Sequence, residues 1–252
     1  MSENTQSIFD EESFVLDDNT LAQSVDSSAD RATAASDFLF LIDCTNTMDW
    51  VLKTLVDTIL EVVDIFNEDG LRMRYGVVEF RDMLRDMEEI RMVHHDFNGS
   101  HFTDDPIALK KCLMKLQAKG GGPPKESIFE AIKTGLEQSD WRDDASKFVV
   151  ILTDSAGPIL NDFSVKGWLQ CIEIIEKADI DMLHVVRQEE FREEFVNFSQ
   201  IDGKDGEDLA VTIHDIGVKE TAQEKLKKVL RGIGYSSRKK ARSERNKKRF
   251  RD

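Results

Sequence analysis

The chain has little of what marks a secreted or membrane-embedded protein. It carries only three cysteines, Cys44, Cys112 and Cys171, an odd number without a framework spacing. They read as reduced, buried thiols, not as a disulfide scaffold. No apolar run approaches the roughly 18 residues of a membrane helix. The opening MSENTQSIFDEES has neither the basic nor the continuous apolar region of a secretory signal. These absences point to a soluble, cytoplasmic protein. Nucleotide chemistry lacks its cradle as well, since neither a GxxxxGK[ST] loop nor a strand-linked GxGxxG occurs. No Ser/His or Cys/His arrangement for nucleophilic catalysis is evident.

What is present is acidic charge and a 40% hydrophobic content over 252 residues. That length suits one domain with tails, burying roughly 70% of the surface exposed by its unfolded chain. The net charge of −15 is unevenly spread, because the end runs RKKARSERNKKRF. An acidic body argues against a nucleic-acid-binding core. The tail, 236–252, suits an anionic partner, whether nucleic acid, an anionic membrane or the acidic N-terminal segment, and a solvated tail is the plain alternative. Residues 1–36 are rich in Ser, Asp, Glu and Thr without a sustained apolar period and read as a disordered segment or a short docking motif. The domain is expected over 37–235.

Within it, short β-rich runs alternate with longer amphipathic ones. FLFLID, YGVVEF, IRMVHHDF, KFVVILTD, DMLHVVR and LAVTIHDI are predicted strands. Helices are predicted over 48–67, 105–116, 125–138, 165–178, 189–198 and 219–232. Alternation of this kind implies βαβ units and a doubly wound α/β fold, its mainly parallel six-stranded sheet covered by helices on both faces. Only about nine residues, Arg81 to Glu89, separate the second and third strands. That is too short for a crossover helix, so one edge strand is expected to be antiparallel. In the common order 3-2-1-4-5-6 the first and fourth strands meet at the switch point where ligands bind. Their ends carry Asp43 and Asp154.

The first strand runs into IDCTNTM, which sets Asp43, Thr45 and Thr47 at alternate positions. All three oxygens can then face one point, and Asp154 can reach it from the neighbouring strand. A hard divalent cation favours such an oxygen shell, and Mg²⁺ keeps waters and accepts a last ligand from a partner. His94, His95 and His101 are a weaker signal. Adjacent strand residues point to opposite faces, so His94 and His95 read as edge-strand surface residues, not as a transition-metal site. Trp141, Phe148 and Trp168 read as packing positions, as does Trp50.

The DCTNTM turn resembles the DxTxS metal-ion-dependent adhesion site (MIDAS) of von Willebrand factor A (VWA) domains. The resemblance covers about 37–218 and is nearest to intracellular VWA domains of the α-kinase-associated type, although no kinase domain is present. Further cues are Trp50, the strand ending VVEFRD at Asp82, the GGGPPKES segment, Trp141 and ILTD. The resemblance implies a Rossmann-like fold and a non-catalytic module that binds Mg²⁺ or Mn²⁺ and a carboxylate of a protein partner. In related domains GGGDxPE supplies an acidic residue near the metal, and Pro123 stands in its place here. Proline cannot coordinate, so Glu126, Ser127 or a water fills that position, or the metal is held weakly.

Two other functions remain on the page. One is a VWA scaffold that works without metal. The other is a haloacid-dehalogenase-like phosphatase, whose DxDx[TV] motif needs a general acid where this chain has Thr45, and a hydroxyl cannot protonate a leaving group as a carboxylic acid does.

Overall fold

The computed structural model describes residues 35–67, 72–122, 125–160, 163–187, 195–199, 201–202, 209–215 and 224–235. The central strand β1 (Ala35–Asp43) is buried along its whole length, which is why FLFLI reads as a continuous apolar run and not an alternating one. Its side chains still divide by parity. Phe38, Phe40 and Ile42 join one core, and Leu39 and Leu41 join the other.

After a single 3₁₀ turn (Asn46–Met48) come α1 (Asp49–Asn67), β2 (Arg72–Phe80), β3 (Met92–His94), α2 (Pro106–Leu113), α3 (Ile128–Gln138), β4 (Ala145–Leu152), α4 (Trp168–Ala178), β5 (Met182–Arg187) and β6 (Ala210–Asp215). A last helix, α5, occupies 224–235. The sheet order is β3-β2-β1-β4-β5-β6. All pairings are parallel except β2 with β3, so the doubly wound α/β expectation with one antiparallel edge holds. Residues of α1, α2 and α5 pack in the first core, and those of α3 and α4 pack in the second. Helices therefore cover both faces. Among the described residues no helix is long and apolar enough to cross a membrane.

Some expectations need correction. β1 starts at Ala35, so Ala35 and Ser36 belong to the sheet and not to the N-terminal segment. They pair with Arg72 and Met73 on one side and Ala145 and Ser146 on the other. Small side chains carry no apolar period, which hid the strand's start. The third strand was expected over 90–97 but is only Met92–His94, because Glu88–Arg91 forms one helical turn ahead of it. Of the helix expected over 189–198, residues 189–194 lie outside the described residues, and 195–199 form a 3₁₀ turn. The tail 236–252, the segment 1–34 and Pro123 also lie outside.

All three cysteines are buried and free. Phe148 is fully buried, Trp50 and Trp141 are partly buried against the cores, and Trp168 meets Phe129 and Phe198 edge-on at 4.9 Å each. The histidines lie on or beside the edge strand β3 and are half-buried. His94 stacks on His101 at 3.7 Å, and His95 Nε2 meets Glu79 Oε1 at 2.7 Å.

The amino end of β1 carries a buried ionic latch. Asp37 is fully buried and accepts from Arg74 Nε at 2.9 Å and Arg74 Nη2 at 2.8 Å. The Arg142 backbone N–H and Nε each donate to it at 2.9 Å. Arg142 Nη2 also donates to the carbonyls of Ser36 and Arg72. One carboxylate thus ties together β1, β2 and the segment leading into β4.

Candidate functional site

Parallel pairing of β1 with β4 brings Asp43 and Asp154 to one edge of the sheet. Asp43 is fully buried. Its Oδ1 accepts from the Thr45 backbone N–H at 3.0 Å and from Thr45 Oγ1 at 2.8 Å, and its Oδ2 accepts from Thr153 Oγ1 at 2.6 Å. Thr45 Oγ1 lies 3.0 Å from Thr47 Oγ1, which donates to Asp154 Oδ1 at 3.0 Å. Asp43, Thr45, Thr47 and Asp154 therefore form one continuous chain of oxygens, running from the buried Asp43 to the exposed Thr47. The structure brings together the four residues read from the first and fourth strands.

Glu126 and Ser127 enter from the loop before α3 and play different parts. The Ser127 hydroxyl accepts the Met83 N–H at 2.9 Å, which fastens the loop after β2. The Glu126 backbone is held by the Gly157 carbonyl and the Ser155 hydroxyl, while its Oε2 is buried without a hydrogen-bond partner among the described residues. Its side chain lies beside Gly121, where an added β-carbon would be 3.2 Å from Glu126 Oε1 and 2.8 Å from Thr45 Cβ. Glu126 thus stands close to Thr45 in the oxygen chain.

Electrostatics set these carboxyls apart. Burial raises Asp43 above the ordinary aspartate range, against the hydrogen bonds from Thr153 and Thr45 and the positive charge of Arg81. Burial and then the charge of Asp43 push Asp154 up to about 7, opposed by Thr47. Glu126 is pushed up to about 9 by burial and then by Asp43 and Asp82. Three carboxyls that resist ionising together are a place where a cation would relieve both burial and repulsion. The oxygen donor set and the unpartnered Glu126 Oε2 fit a hard divalent ion. Among the described residues no three His, Cys, Asp or Glu side chains are grouped to hold a metal, so an ion placed here would have to draw on the threonine hydroxyls as well.

Several contributors escaped the sequence reading. Thr153, the residue before Asp154, closes the second oxygen of Asp43, and its place in LTD was the available signal. Asp86 accepts the Gly121 N–H on both oxygens, at 3.1 and 2.9 Å, and the Asp82 N–H at 3.0 Å. Arg81 is buried and donates to Glu79 Oε2 at 3.0 Å and to the carbonyls of Lys119 at 2.8 Å and Gln117 at 2.9 Å. This arginine and Asp86 fix the glycine run against the Thr45 turn.

Gly121 is therefore under two constraints. Its φ is +86°, and a side chain would strike Thr45. Gly121→Ala is expected to lower stability by about 1–3 kcal/mol, read by chemical denaturation. A loss below a few tenths would mean that the turn yields freely.

No protein-family model matches the chain, and no curated protein matches it. Among solved structures it is similar to the pilus adhesin SpaC from Lactobacillus rhamnosus GG, with a TM-score of 0.55 and 10% identity over 80% of this chain. The match spans 30% of the adhesin's length. At that identity the likeness bears on the fold alone, a doubly wound α/β sheet.

Proposed function

We propose that this chain is a VWA-type, non-catalytic module that binds a carboxylate of a protein partner through a divalent cation, Mg²⁺ or Mn²⁺. The observation that carries this reading is the unbroken chain of oxygens from Asp43 through Thr45 and Thr47 to Asp154. Thr45 and Thr47 would hold the ion directly, and Asp43 and Asp154 directly or through water, with Glu126 alongside. Bound there, the ion supplies a Lewis-acidic position, made more electrophilic because neutral hydroxyls replace carboxylates in part of its shell. Thr47, the exposed member of the chain, marks the side from which a partner would approach. The buried free thiols support a cytoplasmic setting.

Isothermal titration with Mg²⁺ and Mn²⁺ tests the reading. Wild type is expected to give a saturable heat that Asp43→Ala loses. Equal heats from both proteins, or none from either, would sink the metal claim.

A second reading, a scaffold that works without metal, is favoured by the same hydroxyls and carboxylates satisfying one another and by Pro123 in place of an acidic residue. Partner capture that is indifferent to EDTA selects this version.

A further inference from the structure

Two loops beside the oxygen chain form one surface. The loop after β2 is fastened to α3 by the Met83 N–H on Ser127 Oγ at 2.9 Å. The loop after β4 is joined to the same place through Ile159 N–H on the Glu126 carbonyl at 3.1 Å. Arg91 bridges them, with its guanidinium 5.4 Å from the centre of the Phe163 ring and Nη1 on the Met83 carbonyl at 3.4 Å.

Exposed apolar side chains concentrate there. Leu84 is 58% exposed, Met87 60%, Leu160 45% and Phe163 55%. Leu84 and Met87 stand on the first loop and Leu160 and Phe163 on the second, and exposed apolar side chains that share a surface often mark a contact site. Cations lie along the loop that carries the aromatic member. Besides Arg91, Lys166 Nζ donates to the Phe163 carbonyl at 2.7 Å and Lys133 Nζ to Ser164 Oγ at 2.8 Å. Opposing charge on the patch comes from Glu88, which is turned to solvent and pairs with Arg91 at 3.9 Å, and from the exposed Glu89. Arg85, reaching back to Asp82 at 3.5 Å, is itself 63% exposed.

We infer that this rim selects the partner: a protein segment in which a carboxylate is followed closely by large apolar residues, with further acidic residues beside them. This rests on the reading above, in which the first carboxylate meets the cation. The apolar residues then cover Leu84, Met87, Leu160 and Phe163, and the additional acids meet Arg91, Lys133 and Lys166. A purely acidic segment would leave the rim exposed, and a purely apolar one would leave the cations and the metal position unmatched.

Selection of a random-peptide display library on the full chain in Mg²⁺ tests the inference. Enriched peptides are expected to combine Asp or Glu with Leu, Phe or Trp a few positions away. Their affinity is expected to fall about ten-fold or more in Phe163→Ser or Leu84→Ser. Both variants change exposed side chains, so an unchanged melting temperature separates lost contact from lost fold. Acidic peptides without apolar residues, bound equally by wild type and Phe163→Ser, would overturn the rim and leave the metal reading intact. Failure to enrich any peptide also overturns it. Peptides of the expected kind that lose affinity in Phe163→Ser but ignore EDTA and Asp43→Ala would support the rim and remove the metal.

Discussion

Replacing Asp37 with alanine is expected to lower stability by about 3–5 kcal/mol, a fall in melting temperature on the order of 10 °C. The substitution removes the one carboxylate to which Arg74 and Arg142 both donate. It leaves two mostly covered guanidiniums, Arg142 without its counter-charge and Arg74 with only the more distant Asp140 at 3.5 Å. Removing one partner of a buried ionic cluster does more harm than never having built it, because the desolvation of the remaining charges is no longer offset. Asp37→Asn retains one acceptor oxygen and is expected to lose less. Denaturant melts of the three proteins check this, and a loss under about 1 kcal/mol for Asp37→Ala would show that the arginines relax into solvent.

The second large effect concerns pH. In EDTA, stability is expected to fall by about 2 kcal/mol between about pH 7 and about pH 8.5. Glu126 has an ordinary value of 4.5 and is pushed up to about 9 in the fold. Across that interval the folded chain keeps a proton that the unfolded chain has lost. Stability is then fully present below the unfolded value and declines as pH rises toward 9. Asp154, raised to about 7, acts in the same direction at lower pH. The buried histidines act the opposite way. His184 is lowered to about 3 and His94 to about 4, from 6.5, so their neutral folded forms add stability as pH rises to about 6.5 and nothing beyond. The buried thiols, raised from 9.0, enter only above the interval. Burial raises Asp43 as well, so Glu126→Gln is what assigns the slope of thermal melts across the interval to Glu126. Glu126→Gln is expected to flatten the profile, and saturating Mg²⁺ to flatten that of wild type, since a cation favours the ionised carboxyl. A wild-type profile already flat in EDTA would mean that water reaches Glu126 freely.

Much of this architecture was legible because two periods are written into the chain. Runs such as FLFLI and KFVVIL are too apolar to be surface strands, and their spacing forces parallel pairing. The short link from Arg81 to Glu89 left the second and third strands only a hairpin. The oxygens of Asp43, Thr45, Thr47 and Asp154 could be placed together because strand order alone decides which strand ends are neighbours. What could not be read depends on contacts between loops. That Asp86 would grip Gly121, or that Ser127 would turn to Met83 while Glu126 kept a bare oxygen, follows from loop conformations with no periodic signature. The partners of the histidines were hidden for a related reason. A strand pattern says which face a side chain takes, but the partners His101 and Glu79 come from elsewhere in the chain.

Strand β1 has an acid near each end, and the two are put to opposite uses. Asp37 is compensated by two arginines, whereas burial raises Asp43 against its hydrogen bonds from Thr153 and Thr45. Six positions of extended strand separate them by about 20 Å, and they share no hydrogen-bonding partner. Substitutions at the two ends are thus expected to be additive, a double variant losing the sum of the single losses. The strand insulates the Asp37 anchorage from the carboxyl-end loops, so those loops can be recut while the latch keeps the sheet assembled.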